Sequence, residues 1–143
     1  RAAEDVRAVP GLGAAGGAGL PLYLLAGAEF VAGARWLAEV TGLASAVHGA
    51  DLVLTGEGRT DGQSRAGKVP AWVATLARAA GAPCWVISGA LGPGHETLAE
   101  LGVQRFVAAT PAGASREDMA RHAALWLADA TAAALQDVLQ GAG

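Results

Sequence analysis

Apolar and polar positions alternate between two regimes along this chain. Up to about residue 49 the apolar residues fall at helical spacing. A helix is predicted to start near Pro21, since proline suits a first helical turn, with Leu24, Leu25, Ala28 and Val31 on one face. A second helix is expected over about Ala34–Val40 and a short third over Leu43–Val47. From residue 50 onward the pattern changes to short apolar runs that end in glycine, each followed by a polar loop or a helix-period stretch. Asp51–Gly56, Pro83–Gly89 and Val103–Ala108 read as buried strands. The stretches between and after them read as helices at about Pro70–Ala80, Gly94–Leu101 and Arg116–Leu139. Gly81 is positioned to stop the first of these. Ser115 with Asp118 three residues on is a capping-box start for the last, and Gln140–Gly143 reads as a frayed natural end.

Apolar strands that alternate with helices imply an α/β fold, a mainly parallel sheet with helices on both faces. Residues 50–143 are expected to form this βα portion. Residues 1–49, a glycine-rich segment and helical block, are expected to belong to a second domain or interdomain region. In sheets of this kind ligands gather at the carboxyl ends of the strands, which directs attention to the exits after Leu54 and Ile87.

Composition narrows the function without naming it. With 143 residues, 52% hydrophobic and 16% charged, the chain can bury a core. A formal net charge of −3 offers no basic face for nucleic acid. The longest apolar stretch, around Leu20–Ala28, is shorter than the ~20 residues that cross a bilayer. The N-terminus has neither an initiator methionine nor a leader-like pattern, so the chain reads as the middle and end of a longer, cytoplasmic protein. The single cysteine, Cys84, excludes an internal disulfide framework and is expected to be buried in its apolar run. The four tryptophans are expected to fill core or interface space, and His122 to sit at the surface. His48, His95 and His122 show no metal-ligand spacing.

Chemistry concentrates between Gly56 and Lys68. Those 13 residues hold two carboxylates (Glu57, Asp61), three cations (Arg59, Arg65, Lys68), Gln63, Ser64 and four glycines at 56, 58, 62 and 67. A strand-to-helix connector needs only a few residues. Phosphoryl transfer makes use of all these groups: cations neutralise developing charge, carboxylates hold Mg²⁺ or orient a hydroxyl, and glycines let backbone N–H groups face oxygens. A solvated loop with its charges paired to one another is the plainer alternative. Gly62–Lys68 has P-loop spacing, but Val69 replaces the Mg²⁺-ligating hydroxyl and the strand ends six residues too early, so a Walker motif is rejected. Gly11–Gly16 matches a dinucleotide glycine pattern without a preceding strand. A close backbone approach, to a neighbouring domain or a ligand, accounts for it better. Ser88–Gly94 reads either as room for a nucleotide or substrate or as a plain turn.

The stretch Ala50-Asp51-Leu52-Val53-Leu54-Thr55-Gly56-Glu57-Gly58-Arg59, with Asp61, Gln63, Gly67-Lys68 and Pro70, resembles the signature of the glycerate kinase family. The glycine-rich Pro10–Gly19 segment and Ser88-Gly89 are similar to two further motifs of that family. The resemblance implies transfer of the γ-phosphoryl of ATP, with Mg²⁺, to D-glycerate, giving a phosphoglycerate expected to be the 2-phospho isomer. It also implies two α/β domains with the site in the cleft between them. Carried over, the polar motif falls on Glu57, Asp61 and Lys68 as catalytic candidates, with Gly56, Gly58, Arg59, Gln63 and Ser64 binding substrate or phosphate. Asp61 or Glu57 would serve the metal or the substrate hydroxyl, and Arg59 and Lys68 the phosphate or carboxylate. The Asp-Ser-Phe-Lys-Gly motif that opens family members does not occur here, so the chain corresponds to the later part of such an enzyme. The missing partner would be the N-terminal part, and the piece alone is expected to be inactive. A non-catalytic ligand- or partner-binding fragment is the alternative; an α/β enzyme acting on phosphosugars would require the likeness to be accidental.

Overall fold

A computed structural model describes residues 6–141. Three parallel strands, β1 (Val53–Thr55), β3 (Cys84–Ser88) and β5 (Val103–Ala108), form a sheet in the order β1-β3-β5. Helix α4 (Val69–Ala80) links β1 to β3, and a 3-10 helix, His95–Leu101, precedes β5. The C-terminal helix α5 (Arg116–Gly141) returns across the sheet. Two further strands of two residues each, β2 (Arg59–Thr60) and β4 (Ala90–Leu91), pair in parallel beside it. The α/β parallel architecture predicted from the strand pattern is therefore present.

Alternation along the strands separates two faces. Val53, Cys84, Val86 and Val103 point to one side, where they pack with Val73, Ala74 and Ala77 of α4 and with Leu98 to form the core. Cys84 is fully buried there, as expected, and burial pushes its thiol pKa up to about 11. Trp85 and Ile87 point to the other side, toward α5. Arg105 lies over the Trp85 ring at 5.1 Å and donates to the Ala134 carbonyl of α5 at 2.8 Å, fastening helix to sheet. Pro70 opens α4, and Gly81 closes it in the left-handed conformation at φ +73°.

The leading block contains α1 (Gly19–Ala26), α2 (Gly33–Val40) and α3 (Leu43–Val47). Val47 enters the main core, and α2 and α3 pack against α4. Helix α1 ends sooner than the apolar spacing implied: Gly27 takes φ +65° and caps it, leaving Ala28 and Val31 outside. The glycine-rich segment before α1 forms short 3-10 turns, with Gly11 close to the Phe30 ring (a Cβ there would lie 3.3 Å away), and Gly19, which opens α1, lies closer still to the same ring. Trp36 is half exposed on α2 and takes no part in the core, and α5 continues through Gln140 to Gly141; the rest of the end expected to fray lies outside the described residues.

Candidate functional site

The site grows out of β1. At Gly56 the chain passes so close to β3 that a Cβ would stand 1.9 Å from the Ile87 carbonyl oxygen. No side chain fits, and the contact is with backbone, which cannot swing aside. Beyond it, the two strand exits run together as a ladder. Gly89 N–H donates to Glu57 O (3.1 Å), Ala90 to Gly58 O (3.0 Å), Gly92 to Thr60 O (2.7 Å) and Gly62 to Pro93 O (3.0 Å). The loop from Glu57 and the turn from Gly89 are thus one structure at the carboxyl edge of the sheet. The N–H groups of Gly62, Gly89, Ala90 and Gly92 are engaged within it. The glycines here serve close backbone pairing more than they free N–H groups for a ligand.

Three buried hydroxyls organise the carboxylate of Glu57. Ser64 donates to Oε1 at 2.5 Å, and Thr60 donates to the same oxygen at 3.3 Å. Thr60 is also 2.7 Å from Ser88 Oγ. Because the single Thr60 proton goes to Glu57, Ser88 donates to Thr60, while Ser88 Oγ in turn accepts the Glu57 N–H at 3.3 Å. Thr60, Ser64 and Ser88 are completely buried, so their polar groups depend on this network. The second oxygen, Oε2, faces outward, 3.7 Å from the Lys68 ammonium.

Asp61 sits one turn further on. Its carboxylate caps the 3-10 helix Gly62–Arg65 by accepting Gln63 N–H at 3.0 Å, and Ser64 Oγ accepts the Asp61 N–H at 3.2 Å. Oδ2 lies 3.7 Å from Arg59 Nε. Arg59 itself is largely exposed, held over Gly92, where a Cβ would come within 2.8 Å of its guanidinium.

Of the residues singled out from sequence, Glu57, Asp61, Arg59 and Lys68 are brought together at one rim, with Gly56 and Gly58 beneath it. Gln63 is exposed beside them. Ser64 lies behind the carboxylate, out of solvent. Arg65 is drawn away to Glu100 and the Thr97 carbonyl. Thr60 and Ser88 were missed as site residues. Thr60 was hidden by its polar neighbours, and the signal for Ser88 was its position as the last residue of a buried strand. Next to Glu57 opens a cavity of about 520 Å³, floored by Leu54 and Ile87 and walled by Leu127 of α5. Among the described residues no group of three or more His, Cys, Asp or Glu side chains converges as a metal cage.

Together these features define an open α/β protein whose charged, glycine-threaded loop crowns the carboxyl edge of a parallel sheet. Comparison with known proteins gives the family: the glycerate kinase family profile matches residues 1–139, and the chain belongs to that family. It is 38% identical over 108 residues to a glycerate kinase of Halalkalibacterium halodurans, covering 76% of this chain and 28% of that protein. It is 45% identical over 87 residues to glycerate 2-kinase of Escherichia coli K12, covering 61% and 23%. A crystal structure from Salmonella typhimurium LT2 assigned as a glycerate kinase 2 superposes with a TM-score of 0.63 at 32% identity, over 92% of this chain and 34% of that one. The chain therefore spans between 23% and 34% of the length of these relatives. No helix among the described residues is long and apolar enough to cross a membrane.

Proposed function

We propose that the protein carrying this chain phosphorylates D-glycerate with ATP on the 2-hydroxyl, producing 2-phosphoglycerate and ADP. One observation carries this reading. A carboxylate fixed by buried hydroxyls, Glu57, holds Lys68 at the rim, immediately beside the Arg59–Asp61 pair. Within a family of glycerate kinases, two cations beside an accessible carboxylate support a reading of this rim as the meeting place of a phosphoryl group and a small hydroxy acid. The 2-position follows the likeness to the glycerate 2-kinase of E. coli.

In this scheme Lys68 and Arg59 balance the charge of the transferring phosphoryl group and the glycerate carboxylate. The glycerate oxygen bonds to the γ-phosphorus while the bond to the β–γ bridging oxygen breaks. That oxygen leaves with its electron pair on ADP, and the hydroxyl proton passes to Asp61. Mg²⁺, when bound, neutralises the phosphate oxygens. This cation commonly takes one or two protein carboxylates and leaves its other positions to phosphates and water. Asp61 Oδ2, 3.7 Å from the Arg59 guanidinium, is the donor on this chain that would hold it. Gln63 and the Gly58 backbone border the same opening. The ATP requirement places the enzyme in the cytoplasm. Groups on the facing side of the cleft belong to the rest of the polypeptide, so the 143-residue chain by itself does not turn over.

A coupled ADP-release assay on the complete protein, with D-glycerate, ATP and Mg²⁺, tests the reading. The product is distinguished as 2- or 3-phosphoglycerate by phosphorus NMR. ADP release that depends on D-glycerate is expected. No release above the glycerate-free rate would overturn the activity, and a 3-phospho product would overturn the position.

A further inference from the structure

Among the described residues, the serine, threonine, amide and charged side chains are at least partly exposed, with three exceptions. Thr60, Ser64 and Ser88 are completely buried. All three lie in one network around Glu57. A hydroxyl taken out of water costs free energy unless it is paired, and replacing a buried pair by apolar groups of the same shape can be nearly neutral. Packing alone therefore gives no reason to collect the buried hydroxyls at a single carboxylate.

Two of the hydroxyls close a ring that starts and ends on the same residue. The Glu57 N–H donates to Ser88 Oγ (3.3 Å), Ser88 donates to Thr60 Oγ1 (2.7 Å), and Thr60 donates to Glu57 Oε1 (3.3 Å). The ends set the direction, because an amide N–H can only donate and a carboxylate oxygen can only accept. Each hydroxyl spends its one proton toward the carboxylate, and the bonds of such a chain strengthen one another. Ser64 adds a bond of 2.5 Å to the same oxygen, and the Gly89 N–H donates to the Glu57 carbonyl. The main chain of Glu57 and one side-chain oxygen are thereby tied to the end of β3. Oε2 is left to face outward.

What Oε2 faces is Lys68, the one lysine in a chain that otherwise uses arginine. An ammonium on a flexible four-carbon stem has no fixed place without a partner. Lys68 is the N-cap residue of α4, at the pole of a helix that disfavours a cation, so the helix does not retain it. Its ion pair among the described residues is with Glu57 Oε2, at 3.7 Å. Neither Thr60 nor Ser88 lines the cavity beside Glu57. Any effect they have on a ligand there passes through Glu57.

We propose that Thr60 and Ser88 are positioning residues for Lys68. Their ring fixes the side-chain torsions of Glu57, Glu57 aims Oε2 at the ammonium, and the ammonium is thereby placed for an incoming phosphoryl group. The last of these steps rests on the phosphoryl-transfer reading. The first two do not, and they are tested without substrate.

Thr60→Val keeps the shape of the side chain and removes its hydroxyl, whereas Thr60→Ser keeps the hydroxyl. In the complete protein without substrate, acetylation of Lys68 by N-hydroxysuccinimidyl acetate is timed by peptide mass spectrometry. Thr60→Val should acetylate at least about twofold faster than unmodified protein, and Thr60→Ser should stay within that factor of it. Equal rates in all three overturn the proposal. In the glycerate assay Thr60→Val should lower kcat about ten- to hundredfold with KM for D-glycerate within about threefold, and Thr60→Ser should restore most of kcat. In a Lys68→Ala background Thr60→Val should cost no more than about twofold further. An unchanged kcat, a fall shared equally by Thr60→Ser, or a loss that adds in full to that of Lys68→Ala overturns the proposal. Unmodified protein without glycerate-dependent ADP release removes the phosphoryl-transfer reading instead, and acetylation still decides how Lys68 is held. If Thr60→Val does not fold, Ser88→Ala cuts the ring at its other member and is read in the same way. Failure of both to fold beside a folded Thr60→Ser overturns the proposal, since the hydroxyls would then serve stability alone.

Discussion

Gly56→Ala tests the described glycine at which an added Cβ would come nearest to another stretch of backbone. The added methyl would begin 1.9 Å from the Ile87 carbonyl oxygen and 2.9 Å from its carbon. Ordinary contact needs more than an ångström of additional separation from the oxygen, and the obstacle is main chain in the central strand. Either β1 and β3 separate or the Glu57 loop lifts. Lifting strains the Gly89 N–H bond to Glu57 O (3.1 Å) and the Glu57 N–H bond to Ser88 Oγ (3.3 Å). Overpacking a tight site costs about 1–3 kcal/mol, and each weakened hydrogen bond adds about 0.5–1.5 kcal/mol. A total of about 2–6 kcal/mol follows, a large part of the ~5–15 kcal/mol that holds a domain folded. Urea denaturation of the complete protein, followed by circular dichroism, should show the midpoint falling with the slope unchanged. A loss below about 0.5 kcal/mol would refute the reasoning, since it would mean that the approach of β1 to Ile87 is not tight.

Ser64→Ala should destabilise by about 1–3 kcal/mol in the same measurement, because the Asp61 N–H and Glu57 Oε1 both lose a partner inside a closed network. Asp61→Asn should lower kcat for glycerate phosphorylation by about 10²-fold or more with the fold intact by circular dichroism; unchanged kcat would reduce Asp61 to a helix cap. Cys84 gives a pH signature. Its thiol pKa is raised by burial from 9.0 to about 11, so the neutral thiol supports the fold fully below pH 9 and that support is lost as pH rises through 11. Cys84→Ala should flatten the fall in stability between those values, and an unchanged slope would show that the thiol does not contribute.

The three sheet strands were legible because each is a short apolar run closed by glycine or small residues, and α4 because Pro70 and Gly81 mark its ends. The glycines of the loop were legible as chemistry but were put to the wrong use. They permit the backbone ladder of β2 and β4, whose two-residue strands leave no side-chain periodicity to read. Thr60 and Ser64 look solvated in sequence because their neighbours are charged. They are buried because that ladder folds the loop back over the end of β3, a long-range event that no local pattern records. The premature end of α1 has a simpler cause: apolar spacing continued past Gly27, while the left-handed turn there ended the helix. On α5, Leu125 and Leu127 remain largely exposed in the structure, which the sequence pattern did not indicate.

The two carboxylates of the loop are not equivalent, and the geometry separates tasks that sequence left open between them. One Glu57 oxygen already accepts two hydroxyl protons, from Ser64 and Thr60, and the other faces the Lys68 ammonium. A carboxylate so engaged has little capacity left to accept a substrate proton, but it is well suited to keep an ammonium in place. Asp61 spends one oxygen as a cap and leaves Oδ2 beside an exposed guanidinium at 3.7 Å. A ligand phosphate could attract that guanidinium away and uncover Oδ2 as the charge arrives. In the proposed reaction Glu57 therefore positions Lys68, and Asp61 is the carboxylate free to meet Mg²⁺ or the hydroxyl.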